Sequence, residues 1–116
     1  MDQETALYIV TYFSKLLTEQ ERLAIKHTSS TIKLDLPNRR SNDSAVRVYK
    51  ENGWLSSDEN VTNLLQGGYD EFELRTAERI FKEHRNEVKL NLCPKCKKLA
   101  RTPLAKQCRF CGHNWH

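Results

Sequence analysis

Residues 90–116 read LNLCPKCKKLARTPLAKQCRFCGHNWH, and this stretch decides how the C-terminal part of the chain folds. It holds all four cysteines of the 116-residue protein, as two C-x-x-C pairs, Cys93/Cys96 and Cys108/Cys111, with eleven residues between the pairs. Each pair predicts a tight turn whose backbone N–H groups face the sulfurs. Two such turns facing each other complete a tetrahedron of thiolates around one metal ion.

Four thiolates favour Zn²⁺, and a complete protein ligand set leaves no open position for a substrate, so we expect a structural zinc and no hydrolysis at this site. A rubredoxin-like iron site shares the C-P-x-C turn and stays an alternative, with electron transfer as its function. Two disulfides or a thioredoxin-like redox pair are less favoured, because neither an export signal nor a βαβ context is apparent. We interpret His113 and His116 as tail residues and not as ligands.

Residues 97–101 and 104–107 predict two short strands joined through Thr102-Pro103. The second turn, in residues 105–112, reads Ala-Lys-x-Cys-x-x-Cys-Gly and resembles the zinc-ribbon family over residues 90–116. The resemblance implies a β-hairpin around a structural zinc. The family includes nucleic-acid-binding and protein-docking modules, so it does not choose between these roles. Lys97 departs from the family pattern, in which a glycine usually follows the first turn.

Charge is distributed unevenly along the chain. Residues 1–87 carry 12 Lys/Arg against 15 Asp/Glu, a balance of −3, whereas residues 88–116 carry 7 Lys/Arg and no acid, a balance of +7. A basic segment with aromatic side chains, here Phe110 and Trp115, is typical of nucleic-acid binding. An equally supported interpretation is that a hairpin with little core exposes most of its lysines. The candidate nucleic-acid contacts are Lys95, Lys97, Lys98, Arg101, Lys106 and Arg109.

Helices are predicted before this segment. A stripe of apolar residues at helical spacing predicts a first helix, and Thr18 followed by Glu21 predicts a capping box, so a second helix over residues 19–30 should begin at Glu19. Residues 31–36 are left unassigned and residues 37–43 predict a loop. The stripe of the first helix is Ala6, Ile9, Val10, Phe13, Leu16 and Leu17.

Three more helices are predicted. One over residues 44–52, capped by Asp43 or Ser44 and stopped at Gly53, should bury Ala45, Val48 and Tyr49. Another over residues 58–66 takes Ser57 as its cap. The longest begins at Asp70 and should pack on the first helix. Its apolar stripe is Leu74, Ala77, Phe81, His84 and Val88, flanked by Phe72 and Ile80.

These elements predict a mainly α fold: a small helical bundle over residues 1–89, followed by a Cys₄ zinc-ribbon β-hairpin over residues 90–116. No Gly/Ser/Pro-rich linker separates the two parts, so we expect the ribbon to pack against the bundle. The topology of residues 31–60 is left open.

The N-terminal residues lack the basic lead-in of a secretory signal and no apolar run is long enough to span a membrane, so we expect a cytoplasmic protein. None of the common catalytic or nucleotide-binding motifs is present. We interpret His84 as a hydrogen-bonded core residue, and His27 has no identifiable catalytic partner in the sequence. The first hypothesis is a non-enzymatic interaction module that docks to a protein partner, and the second is a nucleic-acid-binding protein.

Overall fold

The computed structural model describes residues 1–40 and 42–116 and is mainly helical, which confirms the predicted fold class at that level. Its helices are α1 (Gln3–Tyr12), α2 (Glu19–Leu34), α3 (Ser44–Glu51), α4 (Glu59–Leu64) and α5 (Tyr69–Glu83). Short 3₁₀ turns lie at Ser14–Leu16 and Leu36–Asn38. Among the described residues, no helix is both long enough and apolar enough to cross a bilayer.

The chain groups into two compact units. Residues 1–16 and 73–116 form the first unit, and residues 17–72 form the second, so the division falls within α5 between Phe72 and Glu73. The predicted division into a helical bundle over residues 1–89 and a metal-binding module over residues 90–116 stays a prediction.

In the first unit, α1 is capped by Asp2, whose carboxylate accepts the Thr5 backbone N–H at 2.8 Å. Ala6, Ile9 and Val10 are buried as predicted. The α-helix nevertheless ends at Tyr12, earlier than the apolar stripe indicates, and a separate 3₁₀ turn follows. Phe13 and Leu16 therefore lie outside the α-helix, although their spacing in the sequence fits its apolar stripe.

The buried face of α5 is rotated from the predicted stripe. Within the helix it consists of Phe72, Glu73, Thr76, Ala77 and Ile80. Hydropathy misses this face because two of its members are polar, and Glu73 is satisfied by the side-chain amide of Gln3 at 3.0 Å. Of the predicted stripe, Leu74 and Phe81 are only partly buried, while His84 and Val88 lie beyond the helix end.

The second unit begins with the predicted capping box. The Thr18 hydroxyl accepts the Glu21 N–H at 3.2 Å, and the Glu21 carboxylate accepts the Thr18 N–H at 2.7 Å. α2 then continues to Leu34, four residues beyond the prediction. The hydroxyls of Thr28 and Thr31 donate to carbonyls one turn earlier, at 2.9 and 2.8 Å, so they are satisfied inside the helix and do not end it.

Two apolar clusters stabilise the second unit. Ala24, Val61 and Phe72 form one, and Leu34, Val46 and Leu55 form the other. α3 thus buries Val46, and the predicted inward position of Val48 is wrong because that side chain is exposed.

The helix ends of the second unit follow local capping chemistry. Asp43 caps α3 as predicted. Asp58 caps α4 in place of Ser57, since its carboxylate accepts the Asn60 N–H at 2.8 Å. The predicted loop 37–43 contains a 3₁₀ turn at its start, and its residue Ser41 lies outside the described residues.

Candidate metal centre

The four cysteines converge although the first and the last are eighteen positions apart in the sequence. Their Sγ atoms all lie within 4.8 Å of one another. Cys93 Sγ is 3.7 Å from Cys111 Sγ, and Cys96 Sγ is 3.5 Å from Cys108 Sγ. A tetrahedron with metal–sulfur bonds of about 2.3 Å has an edge of about 3.8 Å, so the sulfurs stand where a single ion requires them. These separations are far too long for disulfides, and all four thiols are free.

The two C-x-x-C turns are built alike. Cys93 Sγ accepts the N–H groups of Lys95 and Cys96, both at 3.4 Å. Cys108 Sγ accepts those of Phe110 and Cys111, at 3.3 and 3.4 Å. Backbone donors therefore face the first sulfur of each turn, as the sequence predicts, and they stabilise negative charge on it.

Backbone donation sets the acidity of these thiols. The N–H of Cys111, together with that of Phe110, outweighs burial and lowers the pKa of Cys108 to about 6. Burial acts to raise the pKa of Cys93, but the N–H groups of Cys96 and Lys95 outweigh it and the pKa is lowered. At Cys96 the Lys98 N–H acts to lower the pKa, whereas burial and the neighbouring sulfurs raise it to about 11. The backbone donors thus lower the pKa of the first cysteine in each turn.

The predicted pairing of residues 97–101 with 104–107 is not shown. Each turn instead carries its own isolated antiparallel bridge, Leu92 with Leu99 and Gln107 with Asn114. The backbone closes next to each turn, where Cys93 donates to the Lys98 carbonyl at 2.9 Å and Cys108 donates to the His113 carbonyl at 2.8 Å. Pro103 has no N–H to offer a ladder, and residues 101–104 form a bend followed by a turn. Neither of the segments predicted to pair, residues 97–101 and residues 104–107, forms a strand.

Asn91 holds the connection between the turns, although it was not among the residues predicted for the site. Its side-chain amide donates to the carbonyls of Thr102 and Ala105, at 2.9 and 2.8 Å. Its backbone N–H donates to the Tyr8 hydroxyl at 3.4 Å. Asparagine can donate two hydrogen bonds from one amide, which explains the residue type. The only sequence signal is a polar residue between Leu90 and Leu92.

The six predicted nucleic-acid contacts are all exposed. Lys98 Nζ and the Arg109 guanidinium each lie 4.9 Å from the ring centre of Phe110, which is half exposed. Arg109 also forms an ion pair with Glu4 on α1. Lys97 Nζ donates to the Pro94 carbonyl at 3.0 Å. The other members of the set, Lys95, Arg101 and Lys106, also lie at the surface.

The histidines take other positions. His113 stacks on the half-buried Trp115, with ring centres 6.1 Å apart, and neither His113 nor His116 belongs to the cysteine cluster. His84 is partly exposed and lies 3.2 Å from the Glu87 carboxylate, so its predicted core position is wrong. His27 Nδ1 accepts the Ser56 backbone N–H at 3.0 Å, a structural contact that the sequence did not indicate.

Among residues 1–40 and 42–116, the four cysteines are the one group of three or more metal-ligating side chains close enough to hold an ion. The donor set is complete and contains only sulfur, which fits a metal ion in closed coordination. Searches of family models, of curated proteins and of solved structures give no match to this chain.

Proposed function

We propose that this protein is a non-enzymatic, zinc-binding interaction module of the zinc-ribbon kind, which docks to a protein partner through its helices and its cysteine-rich segment (residues 90–116). The observation that carries the proposal is the convergence of four thiols at tetrahedral spacing. Zinc fits this donor set best, because it prefers tetrahedral sulfur ligands and brings no redox chemistry. The proposal places the protein in the cytoplasm, where thiols stay reduced.

The role of the zinc follows from its coordination. Catalytic zinc keeps one position for water or substrate, whereas four cysteines occupy every position. The ion would therefore order residues 90–116, a segment with few buried apolar side chains of its own. The ordered segment then presents a fixed surface to a partner.

Cobalt substitution tests the closed site. Co²⁺ replaces Zn²⁺ in such sites and its visible spectrum reports the ligand set. We expect a tetrahedral thiolate spectrum that does not change when azide is added. A spectrum altered by azide would show an open coordination position, and the structural role of the metal would then be wrong.

Nucleic-acid binding is the second candidate. Phe110 favours it, because a half-exposed ring next to two cations is the arrangement on which an unpaired base can stack. Mixed RNA and DNA oligonucleotides should be titrated at low salt, where electrostatic binding is strongest. Undetectable binding would remove this candidate. Micromolar affinity that falls steeply with salt would favour it over protein docking.

A further inference from the structure

We propose that a groove in the first unit, between α1 and the cysteine-rich segment, binds a short segment of a partner protein that combines acidic and apolar side chains. The inference rests on the proposed docking function and identifies the surface and the partner chemistry. It follows from the shape of the groove, from the apolar side chains left exposed along it and from the charges at its rim.

The groove consists of two adjoining cavities of about 290 and 430 Å³. Both are lined by Glu4 and Leu99, so the two cavities are neighbours and a peptide of a few residues can reach both. Tyr8 and Ala100 line the first cavity, and both are buried. A recess of this size holds a few side chains of a peptide.

Large apolar side chains stay exposed along the groove. Leu7 and Tyr12 line the first cavity from α1, and each exposes about half of its surface, 54% and 45%. Leu92 and Phe110 line the second from the cysteine-rich segment and are exposed to a similar extent. Exposed apolar side chains that gather along one groove are typical of a binding surface. These side chains would be covered by the apolar residues of the segment.

The rim of the groove offers unmatched positive charge. Of the two carboxylates that line it from α1, Asp2 accepts the Thr5 N–H and Glu4 pairs with Arg109. Both acids are therefore already engaged. Lys97, Lys98 and Arg101 line the same groove and form no ion pair within residues 1–40 and 42–116. Acidic side chains of the segment would complement these three cations.

The same surface fits a peptide better than a nucleic acid. Its walls include the aliphatic residues Leu7 and Leu99, which offer nothing to a sugar or a phosphate. A peptide can place apolar side chains on the aliphatic wall and carboxylates next to Arg101.

Fluorescence anisotropy with the zinc-loaded full chain tests the inference. The probe is a labelled peptide of alternating Glu and Leu, compared with Lys/Leu and Glu/Ser peptides of the same length. We expect the Glu/Leu peptide to bind most tightly. Leu7→Gln and Arg101→Glu should each weaken the affinity for the Glu/Leu peptide about tenfold. The first removes an apolar contact with the leucines, and the second removes a cation that faces the glutamates. Ile32→Gln serves as the matched control, since Ile32 is an exposed aliphatic residue on α2, outside the groove.

Three results would overturn the inference: a Glu/Leu peptide that binds no better than both comparison peptides, a Leu7→Gln variant that binds like Ile32→Gln, or an oligouridylate that displaces the peptide. Each variant must keep its zinc and its circular dichroism spectrum for the comparison to count. The Glu/Leu peptide could fail to bind while the cobalt spectrum stays insensitive to azide and no oligonucleotide binds. That combination would overturn the groove as a binding site and leave the proposed function standing. Salt-sensitive oligonucleotide binding that Arg101→Glu abolishes would overturn the docking function as well.

Discussion

Lys97 and Gly112 occupy equivalent positions, each directly after the second cysteine of a C-x-x-C turn, and both have left-handed backbones with φ of 65° and 76°. Glycine adopts this conformation without a steric penalty, whereas lysine does not. The first turn therefore carries backbone strain that the second avoids. In the first turn a lysine therefore stands at a backbone position that favours glycine.

Replacement of these two residues should shift stability in opposite directions. Gly112→Ala should destabilise the zinc-loaded protein by about 1 kcal/mol, since φ is positive although no atom lies within 4 Å of the new Cβ. Lys97→Gly should stabilise it by somewhat less than about 1 kcal/mol, because relief of strain is partly offset by the freedom of glycine in the unfolded chain. Thermal unfolding measures both. If the Lys97→Gly variant has a melting temperature no higher than that of the control Lys95→Gly, the first turn is not strained at Lys97.

Asn91 should be required for the connection between the turns. Asn91→Ala leaves the Thr102 and Ala105 carbonyls without their donor and should cost about 1–2 kcal/mol. Asn91→Asp should cost more, because a carboxylate would face two carbonyl oxygens. The rate at which a chromophoric chelator removes zinc is the measurement. Equal rates for Asn91→Ala and for the exposed control Asn86→Ala would refute the role of Asn91.

The cap of α1 should titrate with acid. Hydrogen bonds from Thr5 hold the pKa of Asp2 below its ordinary value of 3.8. The folded pKa is lowered, so the stabilisation is present above pH 3.8 and is lost as the pH falls through the lowered pKa. The Thr5 amide shift in NMR reports this step. Asp2→Asn keeps an N-cap acceptor that does not titrate. If the Thr5 amide shift changed with pH in that variant as well, the change would not be caused by the Asp2 carboxylate.

Loss of the metal should leave the second unit folded. Its two apolar clusters consist of residues from 17–72 alone, and none of them is a cysteine. Cys96→Ser should therefore loosen residues 90–116 while much of the helical circular dichroism remains. Chelation of the unmodified protein should have the same effect. Disappearance of all helical signal would mean that metal and helices form one cooperative unit.

Local chemistry was readable from the sequence, whereas contacts between distant residues were not. The capping box at Thr18 and Glu21 and the donors facing Cys93 and Cys108 involve near neighbours, so spacing alone predicts them. The contacts of Glu4 with Arg109 and of Asn91 with Tyr8 join residues far apart in the chain, and no pattern marks them. The α5 face was misjudged for a related reason.

On α5, hydropathy ranks glutamate as outward. Glu73 is buried because Gln3, seventy residues earlier, supplies its hydrogen bond. The hairpin was misjudged for a different reason, since Leu99 and its bridge partner Leu92 are only seven residues apart. Which segment pairs with Leu99 depends on the closure of the first turn, and Leu92 precedes that turn by a single residue. A strand pattern in residues 97–101 does not reveal this partner.

Elemental analysis of the full chain, purified under reducing conditions, decides whether the four cysteines hold a metal ion. We expect one zinc ion per chain, which is lost when Cys108→Ser removes a ligand. Absence of bound metal, or a mass that shows two disulfides, would contradict the site itself. Iron in place of zinc would contradict the structural role and favour electron transfer.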